Sequence, residues 1–482
     1  MSPQVGQAGS PIRGKRSHHR GCVAGGAARH CSGGVAPRHW RMPRELRLNA
    51  FDMATIGHIQ HGMWTHPRDR SAEYHRLGYW TELARTLERG LFDGLFLADV
   101  LGIYDVLGGD AAAALRQAVQ VPLLDPLLLV PAMATVTRHL GFGVTVNLAH
   151  EAPALLARRF STLDHLTEGR IGWNIVTGYL DSAARALGGG ALPRHDDRYD
   201  AADGVMGLLY DLWEGSWAAD AVRADRASGV FTDPARVRPV GAAGIHLCAP
   251  SPQRTPVLYQ AGASDRGRAF AAEHAECVFL NPSSEANVAR LIADLRARAA
   301  PRPLLVFVGA TLVIGRDGAE AEALLEDYRR HASTEGSLAH AAASLGIDFA
   351  RFALDEPIGA ASSNAIASNV EAMARVLGPG WTKRMLIDRF ILGSRQIPIV
   401  GDAPSVADRL IAFAEATGCD GFNLSRTVMP ECLDAVVDLL VPVLQDRGAY
   451  KRGYAPGTYR DKLFGAGPLL APPHPAAAAR WG

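Results

Sequence analysis

The run Arg170-Ile-Gly-Trp-Asn-Ile-Val-Thr177 is apolar in the manner of a buried strand, yet its far end carries an Asn and a Thr. In an enzyme built on parallel strands the chemistry gathers at the strands' C-terminal ends, so polar tips there are the first residues to read. Gly94-Leu-Phe-Leu-Ala-Asp99 and Pro256-Val-Leu-Tyr-Gln-Ala-Gly262 repeat the pattern, and the tips together comprise Asp99, Thr145, Asn147, Asn174, Thr177, Gln260 and Asn281. Any one of them taken singly is explained by a capped turn or a satisfied loop group. As a ring, mostly uncharged donors and acceptors around an apolar floor suit a flat heteroaromatic ligand.

The segment Gln260-Ala-Gly-Ala-Ser-Asp-Arg-Gly267 runs from a strand into a helix beginning near Ser264. Exposed backbone N–H groups and the helix dipole make such a loop an anion site. Arg268 and Ala269 stand where a nucleotide-binding P-loop has Lys and Ser/Thr, so the loop fits one phosphate monoester better than a nucleoside triphosphate. His195 and Tyr199, in Arg194-His-Asp-Asp-Arg-Tyr199, share one face if that segment is helical and could touch the same phosphate or its tether. His58, His61 and His66 invite a metal reading, but no Asp, Glu or Cys stands at a ligand spacing beside them, and no metal is expected. The sequence has no Gly-x-Gly-x-x-Gly after a strand, no Gly-x-Ser-x-Gly elbow and no pair of strand-tip carboxylates. What remains is a site for a phosphorylated aromatic cofactor that carries the hard chemical step itself.

Eight strand candidates position these tips: 47–53, 94–100, 141–147, 170–177, 256–262, 276–281, 304–314 and 421–426. Amphipathic helical patterns lie between them, over 72–90, 153–166, 199–213, 263–275 and 320–331. Alternation of this kind predicts an α/β chain with a parallel sheet, and eight units favour a closed (β/α)8 barrel. The connections at about 214–255 and 332–398 are too long for plain loops and are expected as insertions at the C-terminal, active-site face, with 359–369 a candidate lid.

With 482 residues and 48% hydrophobic composition, the chain can bury a large core. Fifty basic residues against 49 acidic ones leave no field that would draw nucleic acid or an anionic membrane. The six cysteines, Cys22, Cys31, Cys248, Cys277, Cys419 and Cys432, form no close pairs, which fits a reducing cytoplasm. The longest apolar run, Val121 to Val136, is broken by three prolines and an aspartate and does not read as a membrane span. Residues 1–41, rich in Gly, Arg, His and Ser, are expected to lack fixed structure or to be a mis-called extension ahead of Met42; the Pro- and Ala-rich tail 465–482 is also expected to be disordered.

The runs Asn49-Ala-Phe-Asp-Met53, His66-Pro-Arg-Asp69, Gly94 to Asp99, Phe160-Ser-Thr-Leu-Asp-His-Leu-Thr-Glu-Gly-Arg-Ile-Gly-Trp-Asn-Ile-Val-Thr177, His195-Asp-Asp-Arg-Tyr199 and Ser251-Pro-Gln-Arg-Thr-Pro-Val-Leu-Tyr-Gln-Ala-Gly262 resemble the bacterial-luciferase-like flavin monooxygenases, in the branch of the nitrilotriacetate and dibenzothiophene sulfone enzymes. The resemblance spans about Met42 to Lys462. It implies a luciferase-like TIM barrel, reduced FMN supplied by a separate NAD(P)H-dependent flavin reductase, and oxygenation of a small organic substrate, an aminopolycarboxylate, a sulfone or similar, by O2 activated as a C4a-(hydro)peroxyflavin. It places Asp99 and Thr145 along the isoalloxazine and His195, Tyr199 and Ser264 around the ribityl phosphate; the strand tips Asn174 and Thr177 and the loop residue Ala263 complete the expected cofactor set. His58 and His150, just beyond strand ends, are the candidate catalytic residues beside flavin or substrate. A homodimer or larger homo-oligomer is implied as well. Gly178, and Ala186-Leu187-Gly188, depart from the usual pattern beside the flavin site. Two other readings are an F420-dependent oxidoreductase of the same fold and a flavin-binding protein without catalysis.

Overall fold

The computed structural model describes residues 45–190, 192–262, 264–281, 284–358, 373–374, 376–392 and 398–481. The extension 1–41, the candidate lid at 359–369 and Ala263 lie outside the described residues.

Among the described residues eleven strands follow in chain order: β1 Arg47–Met53, β2 Gly94–Ala98, β3 Gly141–Asn147, β4 Ile171–Val176, β5 Val222–Asp225, β6 Val230–Thr232, β7 Val257–Gln260, β8 Cys277–Leu280, β9 Leu305–Gly315, β10 Pro398–Asp402 and β11 Gly421–Ser425. Eight of them close a parallel ring in the order β9, β11, β1, β2, β3, β4, β7, β8 and back to β9. These are the eight strands expected from the sequence. Their residues are buried along nearly the whole length because one face meets the helices and the other fills the barrel.

The barrel interior holds Phe51, Phe96, Phe279, Phe307 and Tyr259. Its N-terminal end is stoppered by the helix Tyr459–Phe464. Tyr459 enters the ring and its hydroxyl meets that of Tyr259 at 2.5 Å. Only glycine fits beside it at the start of β3, since a Cβ on Gly141 would lie 2.3 Å from the tyrosine ring. Next to Tyr459, Arg460 is buried and donates to both oxygens of Glu276, at 2.7 and 2.9 Å, and to the carbonyls of Thr255 and Pro256.

The tail departs from expectation. Leu470, His474 and Ala476 are buried, His474 Nε2 lies 2.9 Å from the carbonyl oxygen of His274, and Arg480 donates to Glu214 at 2.7 Å. A few anchors spaced among Pro and Ala suffice to order this segment, and bulk composition does not register them.

The two long connections part company. Of segment 332–398, the helix Thr334–Leu345 lies at the C-terminal face, where His340 and Ser344 line a cleft. Strand β9 continues past its partners, pairing with β10 over Thr311–Gly315, so the helix Gly318–His331 returns only to the loop after β1. There Ser333 N donates to the carbonyl of His61 at 2.8 Å, and the helix Thr334–Leu345 follows. Segment 214–255 lies instead at the N-terminal end, contrary to expectation. It follows the helix His195–Tyr210, which carries the chain back from the strand tips, so an insertion after it falls at the opposite end. Its hairpin β5–β6 is mostly exposed, and Gln253 bonds Asp164 and the carbonyl of Ile171, the first residue of β4.

Candidate active site

A cleft of about 380 Å³ opens at the C-terminal ends of the barrel strands. That lies within the range of small-molecule sites. Its floor is aromatic, formed by Phe51, Phe96 and Phe279, and its rim carries Asp99, Thr145, Asn174 and Asn281. Strand pairing fixes two of these side by side: Thr145 and Asn174 face each other in the β3–β4 register, and Asn174 Nδ2 donates to Thr145 Oγ1 at 2.9 Å. Asn174 Oδ1 is buried without a hydrogen-bond partner, an acceptor left for a bound donor. Burial, reinforced by nearby Asp125, pushes the Asp99 carboxyl up to about 7.

Beside this cleft the loop after β7 builds a second half-site. Ser264 caps the helix Asp265–His274, accepting from Gly267 N at 3.0 Å, and His195 Nε2 stands 3.3 Å from the same hydroxyl. His195 and Tyr199 share one face of the helix His195–Tyr210, their rings 5.2 Å apart. Tyr199 accepts from Gln260 Nε2 at 3.1 Å and also bonds Thr177. A Cβ on Gly267 would come within 3.0 Å of the Tyr199 hydroxyl, so the cradle closes without glycine there. Ala261, on the same loop, lines the cleft. A ring-sized recess with an orphaned acceptor, next to a helix N-terminus capped by Ser264 and flanked by His195, has the donors and acceptors that a phosphorylated flavin would need.

The structure thus brings together Asp99, Thr145 and Asn174 in one half and Thr177, His195, Tyr199 and Ser264 in the other. His58 lines the cleft, buried against the edge of Phe51 at 4.6 Å, with Nδ1 unpartnered. Its burial and the charge of Arg426 hold its pKa well below the usual histidine range, so it is neutral. His150 is not among the residues that form the cleft wall. The turn after β3 folds it back, and its Nε2 accepts from Asn147 Nδ2 at 2.8 Å. A strand tip is placed by the sheet, whereas a residue three positions beyond it is placed by the turn.

Sequence reasoning missed Tyr104, Gln120, Tyr179, His340 and Ser344, all of which border the cleft. Tyr104 donates to Gln120 Oε1 at 2.8 Å, and the hydroxyls of Tyr104 and Tyr179 lie 2.5 Å apart. His340 Nδ1 meets His61 Nε2 at 2.7 Å, tying the insertion helix to the β1 loop. These residues sit on irregular segments or on an inserted helix, where no period marks the inward direction.

His66, Asp327 and His331 bring potential ligand atoms within 4.8 Å of one another. The hydrogen bonds oppose a metal there. His66 Nδ1 accepts from Arg68 N at 3.2 Å, which leaves the proton on Nε2, the nitrogen 2.9 Å from Asp327. A ligating Nε2 would need that proton moved to Nδ1, against a backbone donor. Asp327 is moreover held by Arg68 and Arg330, and its pKa is lowered to about 2, with the His66 bond the leading cause.

The profile of the luciferase-like monooxygenase family matches residues 58–420. The dimethyl-sulfide monooxygenase of Hyphomicrobium sulfonivorans is 44% identical over 453 residues, covering 91% of this chain and 94% of its own. The long-chain alkane monooxygenase of Geobacillus thermodenitrificans is 43% identical, covering 91% and 98%. A crystal structure of a long-chain alkane monooxygenase superposes with a TM-score of 0.84 at 42% identity over 91% of this chain and all of that one. Dibenzothiophene-sulfone and nitrilotriacetate enzymes are relatives too, at 36% and 30% identity. The chain therefore belongs to the luciferase-like monooxygenase family, and is a flavin-dependent monooxygenase.

Proposed function

We propose that the protein is the oxygenase of a two-component system, receiving reduced FMN from a separate NAD(P)H-dependent flavin reductase and using O2 to oxygenate a small organic substrate. The observation that carries this reading is the adjacency of the two half-sites: Ser264 at a helix N-terminus beside His195 and Tyr199, and, across Gln260 and Ala261, Asn174 with an unpartnered Oδ1 above an aromatic floor. When bound, reduced FMN supplies the electrons and the oxygen activation.

The chain's own residues bind, orient and exclude water. Ser264 and His195 would hold the phosphate, assisted by the helix dipole, with Tyr199 and Thr177 beside its tether. Asn174 Oδ1 would accept from the flavin ring, with Asp99 and Thr145 along the same wall. Phe51, Phe96 and Phe279 keep the floor dry, which strengthens every polar contact above it. His58, neutral and with Nδ1 unpaired, is placed to hydrogen-bond the reacting oxygen or the substrate. Family membership favours this reading over an F420-dependent one, and the adjacent half-sites favour it over a binder without catalysis.

The test is anaerobic titration with photoreduced FMN followed by rapid mixing with oxygenated buffer. Stoichiometric binding, with oxidised-flavin absorbance returning more slowly than for free reduced FMN, is the expected result. No binding of reduced FMN overturns the proposal.

A further inference from the structure

We infer that a small apolar chamber beside the cleft receives a short hydrocarbon arm of an uncharged substrate; the inference rests on the monooxygenase reading and adds the class of molecule oxygenated. The chamber lies between the helices Thr334–Leu345 and Lys383–Phe390, with walls including Ile59, Leu338, Leu345, Leu386 and Ile387. It adjoins the cleft through shared walls, for Ile59, His340 and Ser344 line both. Four polar residues also line it, His61, Ser337, His340 and Ser344, and the two histidines bond each other, so part of their hydrogen-bonding capacity is already used. By volume the chamber has about 30 Å³. A buried water needs roughly 10–15 Å³ by the same measure, so the space suits about two waters or a two-carbon arm.

Charge points the same way. Among the described residues no Lys or Arg lines either space, and Asp99 is the one carboxylate. Arg426, close to His58, is engaged by Asp52 and by the carbonyls of Thr55 and Ile56. His58 and His61 are held neutral by burial first and by neighbouring charge second. A substrate carboxylate entering here would lose its hydration and gain no cationic partner among the described residues, and Asp99, when ionised, would repel it. A thioether or short alkane meets no such cost. Of the substrates that the family resemblance suggests, the aminopolycarboxylates are therefore disfavoured.

The experiment measures binding of a methyl n-alkyl sulfide series, methyl to pentyl, and of the matching ω-carboxylates, by calorimetry on the full chain with and without FMN. For the neutral series, affinity is expected to rise about fourfold per methylene for roughly two carbons and then level off. Each carboxylate is expected to bind at least about tenfold more weakly than its neutral partner. Ala341→Phe, which fills the chamber, is expected to flatten the chain-length series while leaving FMN affinity unchanged. Affinity independent of chain length in the unaltered protein, or carboxylates binding as tightly as neutral sulfides, overturns the inference whether or not the variant folds. Failure of FMN to bind sinks the monooxygenase reading instead, and the FMN-free series still judges the chamber.

Discussion

Asp99→Asn isolates the cost of placing a carboxyl at the edge of the flavin recess. Burial, with Asp125 nearby, lifts this group from 3.8 to about 7. Between those values the native protein keeps a proton that the unfolded chain has released. Stability therefore falls as pH rises from about 4 to about 7 and is level above that. Moving a fully buried carboxyl that far would cost about 4 kcal/mol. Asp99 borders an open cleft, and solvent screening reduces the figure to about 1–2 kcal/mol. An asparagine keeps the shape and never ionises. Relative to the unaltered protein, Asp99→Asn should gain about 1–2 kcal/mol between pH 4 and pH 8. Urea unfolding of both proteins at the two pH values measures this, because other titrating groups cancel in the difference. Parallel stability–pH curves would refute the placement of Asp99 in a poorly solvated site.

Other expectations follow from single contacts. His195→Ala should weaken FMN binding about 10- to 100-fold, the worth of one hydrogen bond to a charged group, and leave riboflavin binding unchanged in fluorescence titrations; equal losses for both ligands would move the phosphate elsewhere. His58→Ala should lower the fraction of reduced flavin coupled to product, whereas His150→Ala, bonded to Asn147 outside the cleft wall, should change it little. If both variants kept full coupling, neither histidine would be catalytic. Gly141→Ala forces a Cβ to 2.3 Å from the Tyr459 ring and should cost about 1–3 kcal/mol, seen as a lowered melting temperature. Arg460→Met leaves Glu276 buried and unpaired and should cost about 3–5 kcal/mol in chemical denaturation.

The barrel was legible because its strands are buried on both faces: eight mainly apolar runs, alternating with amphipathic helical patterns, leave little choice of architecture. The tips were legible for the same reason. Asp99, Thr145 and Asn174 could be named because a polar residue at the end of such a run has only the strand's mouth to occupy, and register then sets Thr145 beside Asn174. The helical spacing of His195 and Tyr199 likewise holds in the structure. Beyond the strand ends, periodicity carries no direction. The turn after β3 decides that His150 faces Asn147, and the overshoot of β9 decides that the helix bearing His340 covers the cleft. The hairpin segment 214–255 lies at the other end because it follows a returning helix, a consequence of winding direction rather than composition. The tail is held by His474, Arg480 and Trp481 at points that only the folded surface supplies. Local sequence thus determined which elements form and which polar groups cap them, because those follow from burial and period along the chain. Tertiary structure alone decided which loops share a wall, because that depends on where distant segments end in space.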